Sequence, residues 1–128
     1  MLIPPGFNTV TPYFIVDRAD EFIDFLVRGL GGTEILRHTE GGRIANVQVR
    51  LGASTVMVSA SSADYPAMPG SYYLYVDNAD AAMAQAVAAG ASAVMAVSDK
   101  PYGDRQGGVR DCSGNLWWIS QRLVARPY

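Results

Sequence analysis

The sequence contains few of the residues on which common kinds of protein site depend. It has one cysteine, Cys112, and one histidine, His38, among 128 residues. A single cysteine cannot form an internal disulfide, and a single histidine cannot supply a histidine-rich metal centre. We therefore interpret His38 as a surface or hydrogen-bonded residue. Cys112 is interpreted as a free thiol of low reactivity, because no histidine lies near it in the sequence to activate it.

Clustered positive charge and long apolar runs are also absent. Ten basic and twelve acidic residues give a net charge of -2, and the basic residues are scattered along the chain. This distribution argues against a nucleic-acid surface. No apolar run approaches the roughly 20 residues that cross a bilayer, and residues 1–5 do not resemble the start of a secretion signal. We expect no nucleic-acid partner, no membrane partner and a cytoplasmic location.

The chain does contain an internal repeat. The segment Val76-Asp77-Asn78-Ala79-Asp80 repeats the pattern of Val16-Asp17-Arg18-Ala19-Asp20. Each copy follows a strand-like run and begins a helix, and each helix ends near a glycine. Two such units in one short chain predict a single domain built by duplication. The predicted domain covers residues 1–128, with units at about 9–60 and 71–121 and a linker at 61–70.

Apolar periodicity divides each unit into four strands and one helix, so both units have the order βαβββ and the fold class is α+β. The predicted strands are Thr9–Val16, Thr33–His38, Ile44–Leu51, Ser54–Ala60, Ser71–Val76, Ala91–Val97, Val109–Asp111 and Leu116–Gln121. The first helix carries an apolar face made by Phe22, Phe25, Leu26 and Leu30. We expect Asp17 or Asp20 to cap this helix, which ends at Gly31-Gly32. The second helix is predicted to cover Ala79–Ala89. The other predicted segments are a loop at Lys100–Gly108, a tight turn at Asp111–Asn115 and a tail at Arg122–Tyr128.

Three stretches carry a resemblance to a known family: Thr11-Pro12-Tyr13-Phe14-Ile15-Val16, Tyr102-Gly103-Asp104-Arg105, and Asp111-x-x-Gly114-Asn115-x-Trp117. Together with the duplication, over about Thr9 to Gln121, they resemble the vicinal oxygen chelate superfamily, which includes glyoxalase I, extradiol dioxygenases, fosfomycin-resistance enzymes and bleomycin-resistance proteins. The small single-domain members are the most similar. The resemblance implies that the strands curl into a cup of curved mixed sheet, with helices outside and a ligand site inside. It also implies a homodimer in which cups are completed or paired.

The resemblance further implies four metal-ligand positions, and here the chain departs from the family. Enzymes of the family hold a divalent metal on inward His, Glu or Gln side chains of the first, fourth, fifth and eighth strands. The matching positions are Thr11, Val58, Ser71 and Trp118. None is a usual ligand of zinc, nickel, manganese or iron. We therefore expect no metal, no cofactor and no catalytic residue.

Strand alternation then predicts which side chains line the cup, because residues two positions apart share a face. The lining residues expected to bind a ligand are Trp118, Tyr73, Tyr75, Tyr13, Arg50, Gln48, Asn46, Val58, Ser71 and Thr11. The same alternation places Trp117 and Ile119 under the helices. Aromatic faces suit a planar ring system, and the few polar groups would fix its orientation.

This lining favours a non-catalytic protein that sequesters a planar aromatic antibiotic or natural product, as the resemblance to the bleomycin-resistance branch also implies. Two alternatives stay open. One is an enzyme of the same fold, either metal-free or metal-dependent through other ligands. The other is a structural or regulatory dimer whose aromatic side chains only fill the cup or an interface. Outside the cup, Asp104 and Arg105 are expected to pair, and the glycines between Gly103 and Gly108 match no phosphate-binding loop.

Overall fold

The two units form two four-stranded sheets in the computed structural model, which describes residues 1–128. The first sheet has the order β1-β4-β3-β2 and the second has the order β5-β8-β7-β6. The strands are β1 (Tyr13–Val16), β2 (Thr33–Glu40), β3 (Arg43–Leu51), β4 (Ser54–Ala60), β5 (Ser71–Tyr75), β6 (Ser92–Asp99), β7 (Asp104–Arg110) and β8 (Leu116–Arg122). In each unit the first strand pairs in parallel with the last, and the other pairs are antiparallel. The α+β class and the tandem βαβββ plan are confirmed.

One helix lies between the first and second strands of each unit. Helix α1 covers Ala19–Asp24 and continues as a π-helical segment at Phe25–Gly29, and helix α2 covers Ala79–Ala88. Neither helix is long and apolar enough to cross a membrane. The Asn78 side chain caps α2 by accepting a hydrogen bond from the Ala81 N–H at 3.0 Å.

The predicted cap of α1 was wrong. The N-cap residue is Arg18, and its side chain makes no capping bond. The Asp17 carboxylate accepts a hydrogen bond from the Ser61 hydroxyl, and Asp20 pairs with an arginine of β2. Both aspartates are therefore used to connect elements rather than to close the end of the helix.

The helix-facing sides of the two sheets share one apolar core. Phe14 of β1 lies at its centre, with ring centroids 5.0 Å from Phe22 of α1, 4.6 Å from Tyr72 of β5 and 5.6 Å from Trp117 of β8. Full burial of one phenylalanine side chain contributes about 1.5–3 kcal/mol. Because side chains alternate along a strand, the opposite face of each sheet points away from this core. We call these opposite faces the cup faces.

The turn between β7 and β8 is built on Asp111. One carboxylate oxygen accepts hydrogen bonds from the backbone N–H groups of Ser113 at 2.8 Å and Asn115 at 3.0 Å, and the other accepts from the Trp117 indole at 2.8 Å. Gly114 has a φ of 85°, a left-handed conformation that favours glycine. The predicted tight turn is present, and the Asp-x-x-Gly-Asn-x-Trp stretch serves to hold it.

The predicted loop at Lys100–Gly108 was wrong, because β7 begins at Asp104. Its glycines allow close packing on both sides of the strand. A Cβ added at Gly107 would lie 2.9 Å from the Met83 sulfur, and one added at Gly108 would lie 2.8 Å from the Trp118 ring. Glycine within a strand often marks such a close approach.

The expected pairing of Asp104 with Arg105 was also wrong. Neighbouring residues of a strand point to opposite faces, and the two side chains go to different partners. Arg105 pairs with Asp80 at 2.8 Å and Asp99 at 2.9 Å, whereas Asp104 pairs with Arg122 at 2.9 Å. Asp104 is therefore a cup-face residue of β7.

Candidate ligand-binding surfaces

The residues predicted to line one cup lie on two separate surfaces. The first-sheet surface is defined by Tyr13, Asn46, Gln48, Arg50 and Met57, and the second-sheet surface by Ser71, Tyr73, Tyr75, Trp118 and Ser120. A cavity of about 350 Å³ between the units includes Tyr73 and Tyr75. A cavity of about 250 Å³ beside β1 includes Tyr13. Neither cavity contains residues of both surfaces.

Val58 belongs to neither surface, and its predicted position was wrong by one residue. It is 0% exposed, and its register partners are Phe14 and Val47 of the core. Met57 is the residue of β4 that pairs with both Tyr13 and Gln48. Val56 is buried in the core in the same way. A shift of one residue moves every side chain of a strand to the opposite face.

The corrected register still does not provide a chelating site. On the cup faces of β1, β4, β5 and β8 the side chains are phenol, thioether, hydroxyl and indole. Zinc, nickel, manganese and iron take imidazole, carboxylate or thiolate ligands. No group of three or more His, Cys, Asp or Glu side chains lies close enough to hold a metal ion. The donor set therefore does not fit the metal that the fold family implies.

Thr11, a predicted lining residue, is partly exposed and precedes β1.

On the first-sheet surface, Arg50 carries a buried donor without a partner. Its Nε is buried and makes no hydrogen bond within the protein. Arg50 pairs across the sheet with Thr55, whose hydroxyl donates to the Gly6 carbonyl at 2.7 Å. The segment around Gly6 thus covers one end of this surface. An unsatisfied buried donor costs about 1–3 kcal/mol, so Arg50 is held in this position at an energetic cost.

The second-sheet surface is aromatic and open to solvent. Tyr73 is 44% exposed and Tyr75 is 57% exposed, with ring centroids 5.3 Å apart. The Trp118 indole N–H donates to the Ser71 hydroxyl at 2.8 Å, which fixes one edge of the indole. Tyr73 and Trp118 are register partners on adjacent strands. The structure therefore brings together the four predicted residues of the second unit.

Beneath these rings lies a buried carboxylate that the sequence did not assign to the site. Asp104 is 0% exposed. Its Oδ2 accepts hydrogen bonds from the hydroxyls of Tyr73 at 2.5 Å and Tyr128 at 2.7 Å, and its Oδ1 accepts from Arg122 at 2.9 Å. Burial alone would raise the pKa of this carboxyl, but the three donors outweigh burial and hold the pKa below its usual value. Asp104 is therefore ionised at neutral pH.

Three further polar side chains lie beside this network on the cup face. The Gln106 side-chain amide donates to the Ser120 hydroxyl at 2.8 Å, and the Tyr102 hydroxyl donates to the Gln106 Oε1. Gln106 is 4% exposed and Ser120 is 0% exposed. Asp104, Arg105 and Gln106 are all polar, so no alternation of polar and apolar residues marks this strand in the sequence.

Tyr128 reaches this network from beyond the last strand. Its hydroxyl lies 2.6 Å from that of Tyr75, and the Arg122 guanidinium lies 4.2 Å from the centre of its ring. The hydrogen bond with Tyr75, burial and the hydrogen bond to Asp104 all raise the pKa of Tyr128. The phenol therefore stays protonated and acts as a donor. No local pattern in the sequence predicts this position.

The single histidine and the single cysteine both lie away from the second-sheet surface. His38 is exposed and pairs with Glu40 at 3.2 Å. Cys112 lies in the turn after β7, where burial raises the pKa of its thiol. Neither residue contacts the second-sheet network.

Comparison with known proteins is consistent with this architecture. A sequence model described as the Glyoxalase/Bleomycin resistance protein/Dioxygenase superfamily matches residues 6–119. Uncharacterized protein Mb0911c of Mycobacterium bovis is 31% identical over 127 residues, which cover 88% of this chain and 82% of the relative. Uncharacterized protein Rv0887c of Mycobacterium tuberculosis is also 31% identical, over 88% of this chain and 73% of the relative.

Two solved structures illustrate the likeness in three dimensions. TioX from Micromonospora sp. ML1 is 28% identical, with a TM-score of 0.73 over 90% of this chain and 99% of that chain. TnmS3, an antibiotic binding protein from Streptomyces sp. CB03234, is 19% identical, with a TM-score of 0.69 over 90% of this chain and 97% of that chain. Because only 19% of the residues are identical, the similarity to TnmS3 concerns the fold alone.

Proposed function

The chain belongs to the glyoxalase/bleomycin resistance protein/dioxygenase superfamily, and we propose that it is a non-catalytic protein that binds a planar aromatic antibiotic or natural product. The observation that carries this proposal is the second-sheet surface, where exposed aromatic rings lie above a buried and ionised polar network. Such a surface combines stacking area with a few fixed hydrogen-bonding groups, as small-molecule sites commonly do. Sequestration needs only affinity, so it does not require acid–base machinery.

The exposure of these rings supports binding over simple packing. Tyr73, Tyr75 and Tyr13 are each about half exposed, although they lie on sheet faces that could have been covered by the chain itself. Contiguous exposed aromatic area usually marks an interaction site. TnmS3 shares the fold and is described as binding an antibiotic, so the fold is compatible with this activity.

We further propose that a homodimer completes the site. Within one chain the first-sheet and second-sheet surfaces do not share a cavity. A second copy could place Arg50, Gln48 and Asn46 of one chain opposite Trp118 and Tyr73 of its partner. Arg50 is partly exposed, so its guanidinium would then place a positive charge beside the ligand.

Tryptophan fluorescence tests the proposal. Trp117 is 3% exposed and bonded to Asp111, so it provides a steady background, whereas Trp118 lies on the cup face. Titration with a panel of aromatic antibiotics should give saturable quenching at micromolar or lower concentration. Replacing Trp118 with alanine should weaken binding by about 1–3 kcal/mol, the usual contribution of a stacking side chain. The affinity of this variant is measured by isothermal titration calorimetry, because the substitution removes the fluorescent reporter.

The matched control is Val87→Ala, a change at an exposed position of α2 that leaves both surfaces intact. Its affinity should equal that of the wild type. A flat response to the whole panel, or an unchanged affinity in Trp118→Ala, would contradict the proposed site. About one tightly held metal ion per chain, in protein purified without chelators, would favour an enzyme instead.

A further inference from the structure

Tyr128 occupies the second-sheet surface in the manner of a bound aromatic molecule. Its hydroxyl donates to the buried Asp104 carboxylate at 2.7 Å and lies 2.6 Å from the Tyr75 hydroxyl. Its ring lies 4.2 Å from the Arg122 guanidinium, in a cation–π contact. A negative acceptor, a second phenol and a cationic face are thus all directed at one ring. These are the groups that would recognise a phenolic ligand.

Tyr128 is nevertheless held loosely. It is 69% exposed, and it follows the last strand rather than belonging to one. The preceding segment is tied down by the Leu123 N–H, which donates to the Gly103 carbonyl at 2.9 Å, and by the Arg126 carbonyl, which accepts from Arg122 at 2.5 Å. Tyr128 can therefore leave without breaking the ladder of either sheet.

Tyr73, the other phenol on Asp104, is placed differently. Its backbone lies within β5 and pairs with Trp118 of β8, so the backbone of Tyr73 is fixed by the sheet whereas that of Tyr128 is not. Of the two hydroxyls that donate to the Asp104 Oδ2, that of Tyr128 is therefore the one that a ligand could replace. Asp104 would keep its hydrogen bonds from Tyr73 and Arg122, and the position left on Oδ2 would be free for a new donor. A hydrogen bond to a charged group is among the stronger ones, so a donor on the ligand would be stabilised there.

We propose that Tyr128 is an internal substitute for a ligand: Asp104 recognises the phenolic hydroxyl of an aromatic molecule, and binding of that molecule displaces Tyr128. This inference rests on the proposed function and narrows its ligand class from planar aromatics to phenols. A methyl ether has no proton to donate, and a carboxylate would repel Asp104. The site should therefore distinguish a phenol from an otherwise identical ether.

A simple phenol tests this directly. In Tyr128→Ala the ring is removed and the Asp104 oxygen loses a donor, so added p-cresol should take the vacated place. We expect p-cresol to bind this variant at least about tenfold more tightly than it binds the wild type, since hydrogen bonds to charged groups are among the stronger ones. The ether 4-methylanisole should show no such gain. Binding is followed by proton NMR line shapes of the probes and by Trp118 fluorescence.

Two further variants identify which group is responsible for the tighter binding of p-cresol. Tyr128→Phe retains the ring beside Arg122 and should bind p-cresol less well than Tyr128→Ala, because the ring still fills the place. Adding Asp104→Asn to Tyr128→Ala should reduce the preference for phenol over ether, because the amide oxygen of asparagine is a neutral and weaker acceptor. Val87→Ala serves as the control and should behave as the wild type. If p-cresol binds Tyr128→Ala and the wild type equally, or if phenol and ether bind Tyr128→Ala equally, the inference is overturned.

A measurement on the wild type covers the case in which Tyr128→Ala does not fold. The 13C resonance of the Tyr128 Cζ, assigned with Tyr128→Phe, should shift as p-cresol is raised to saturation, and an unchanged resonance would overturn the inference. The outcomes also separate the two proposals. Quenching by aromatic antibiotics without a phenol preference leaves the proposed function standing and removes the inference. A preference for phenol without binding of any antibiotic would support the role of Tyr128 and contradict the proposed antibiotic binding.

Discussion

Replacing Asp104 with asparagine measures how strongly the buried carboxylate stabilises the second unit. Asparagine has nearly the same shape, but its amide offers one acceptor oxygen and one donor nitrogen. In either orientation the amide nitrogen faces donors, either Arg122 or the hydroxyls of Tyr73 and Tyr128. Hydrogen bonds to charged groups contribute roughly 1.5–3 kcal/mol, and breaking a buried ion pair costs about 3–5 kcal/mol. The Arg122 side chain keeps 22% exposure, so we expect the free energy of unfolding to fall by about 2–4 kcal/mol.

The pH dependence of this loss follows from the direction of the pKa shift. The pKa of Asp104 is lower in the folded protein than in the unfolded chain, where an aspartate has a pKa of about 3.9. Stability from a group of this kind is fully present above the unfolded pKa and is lost as pH falls through the folded pKa. The difference between the wild type and Asp104→Asn should therefore be constant from about pH 5 to 8 and should shrink below about pH 4.

Urea denaturation, followed by tryptophan fluorescence and circular dichroism, measures both effects. The control is Asp80→Asn, because Asp80 also accepts a hydrogen bond from an arginine, Arg105 at 2.8 Å, but its side chain is 61% exposed. Surface ion pairs contribute little, so this variant should stay close to the wild type. An Asp104→Asn midpoint equal to that of Asp80→Asn would refute the reasoning that the buried carboxylate organises the second-sheet surface.

Three other changes have expected outcomes. Asp111→Asn should lower the free energy of unfolding by about 2–3 kcal/mol in urea denaturation, because the Trp117 indole and two backbone N–H groups share its carboxylate. Gly108→Ala should shift the emission maximum of Trp118 and weaken ligand binding, because the new Cβ would lie 2.8 Å from its ring; unchanged emission would contradict this packing. Cys112 should react with a thiol reagent at pH 8 more slowly than free cysteine, and the difference should narrow as pH rises, because burial raises its pKa and the thiolate is the reactive form.

The elements of this fold could be predicted from the sequence wherever one face of a strand is apolar and the other polar. In β3 the buried Val47 and Val49 alternate with the polar Gln48 and Arg50, so the face was assigned correctly. In β4 the residue between the two core valines is Met57, which is itself apolar. Apolar residues on both faces leave the register undetermined, and this explains the misplacement of Val58 by one residue.

The polar part of the candidate site could not be predicted, because its contacts are distant in sequence and its strand looks like a loop. Gly107 and Gly108 interrupt β7 for packing reasons that only the folded chain reveals. Asp104 meets Tyr73 across the sheet and Tyr128 from beyond β8. Nothing in the local pattern around Tyr128 indicates that it returns to a buried carboxylate.

The duplication shows which side of each strand determines the fold and which side determines the site. The pair Phe14 and Val58 in the first sheet corresponds to Leu74 and Ile119 in the second, and all four pack in or against the shared core. One position along, Tyr13 faces Met57 in the first sheet, whereas Tyr73 faces Trp118 in the second. The core-facing pairs keep their chemical character while the cup-facing pairs differ. The cup-facing residues can therefore change without a change of fold, and it is these residues that determine the function.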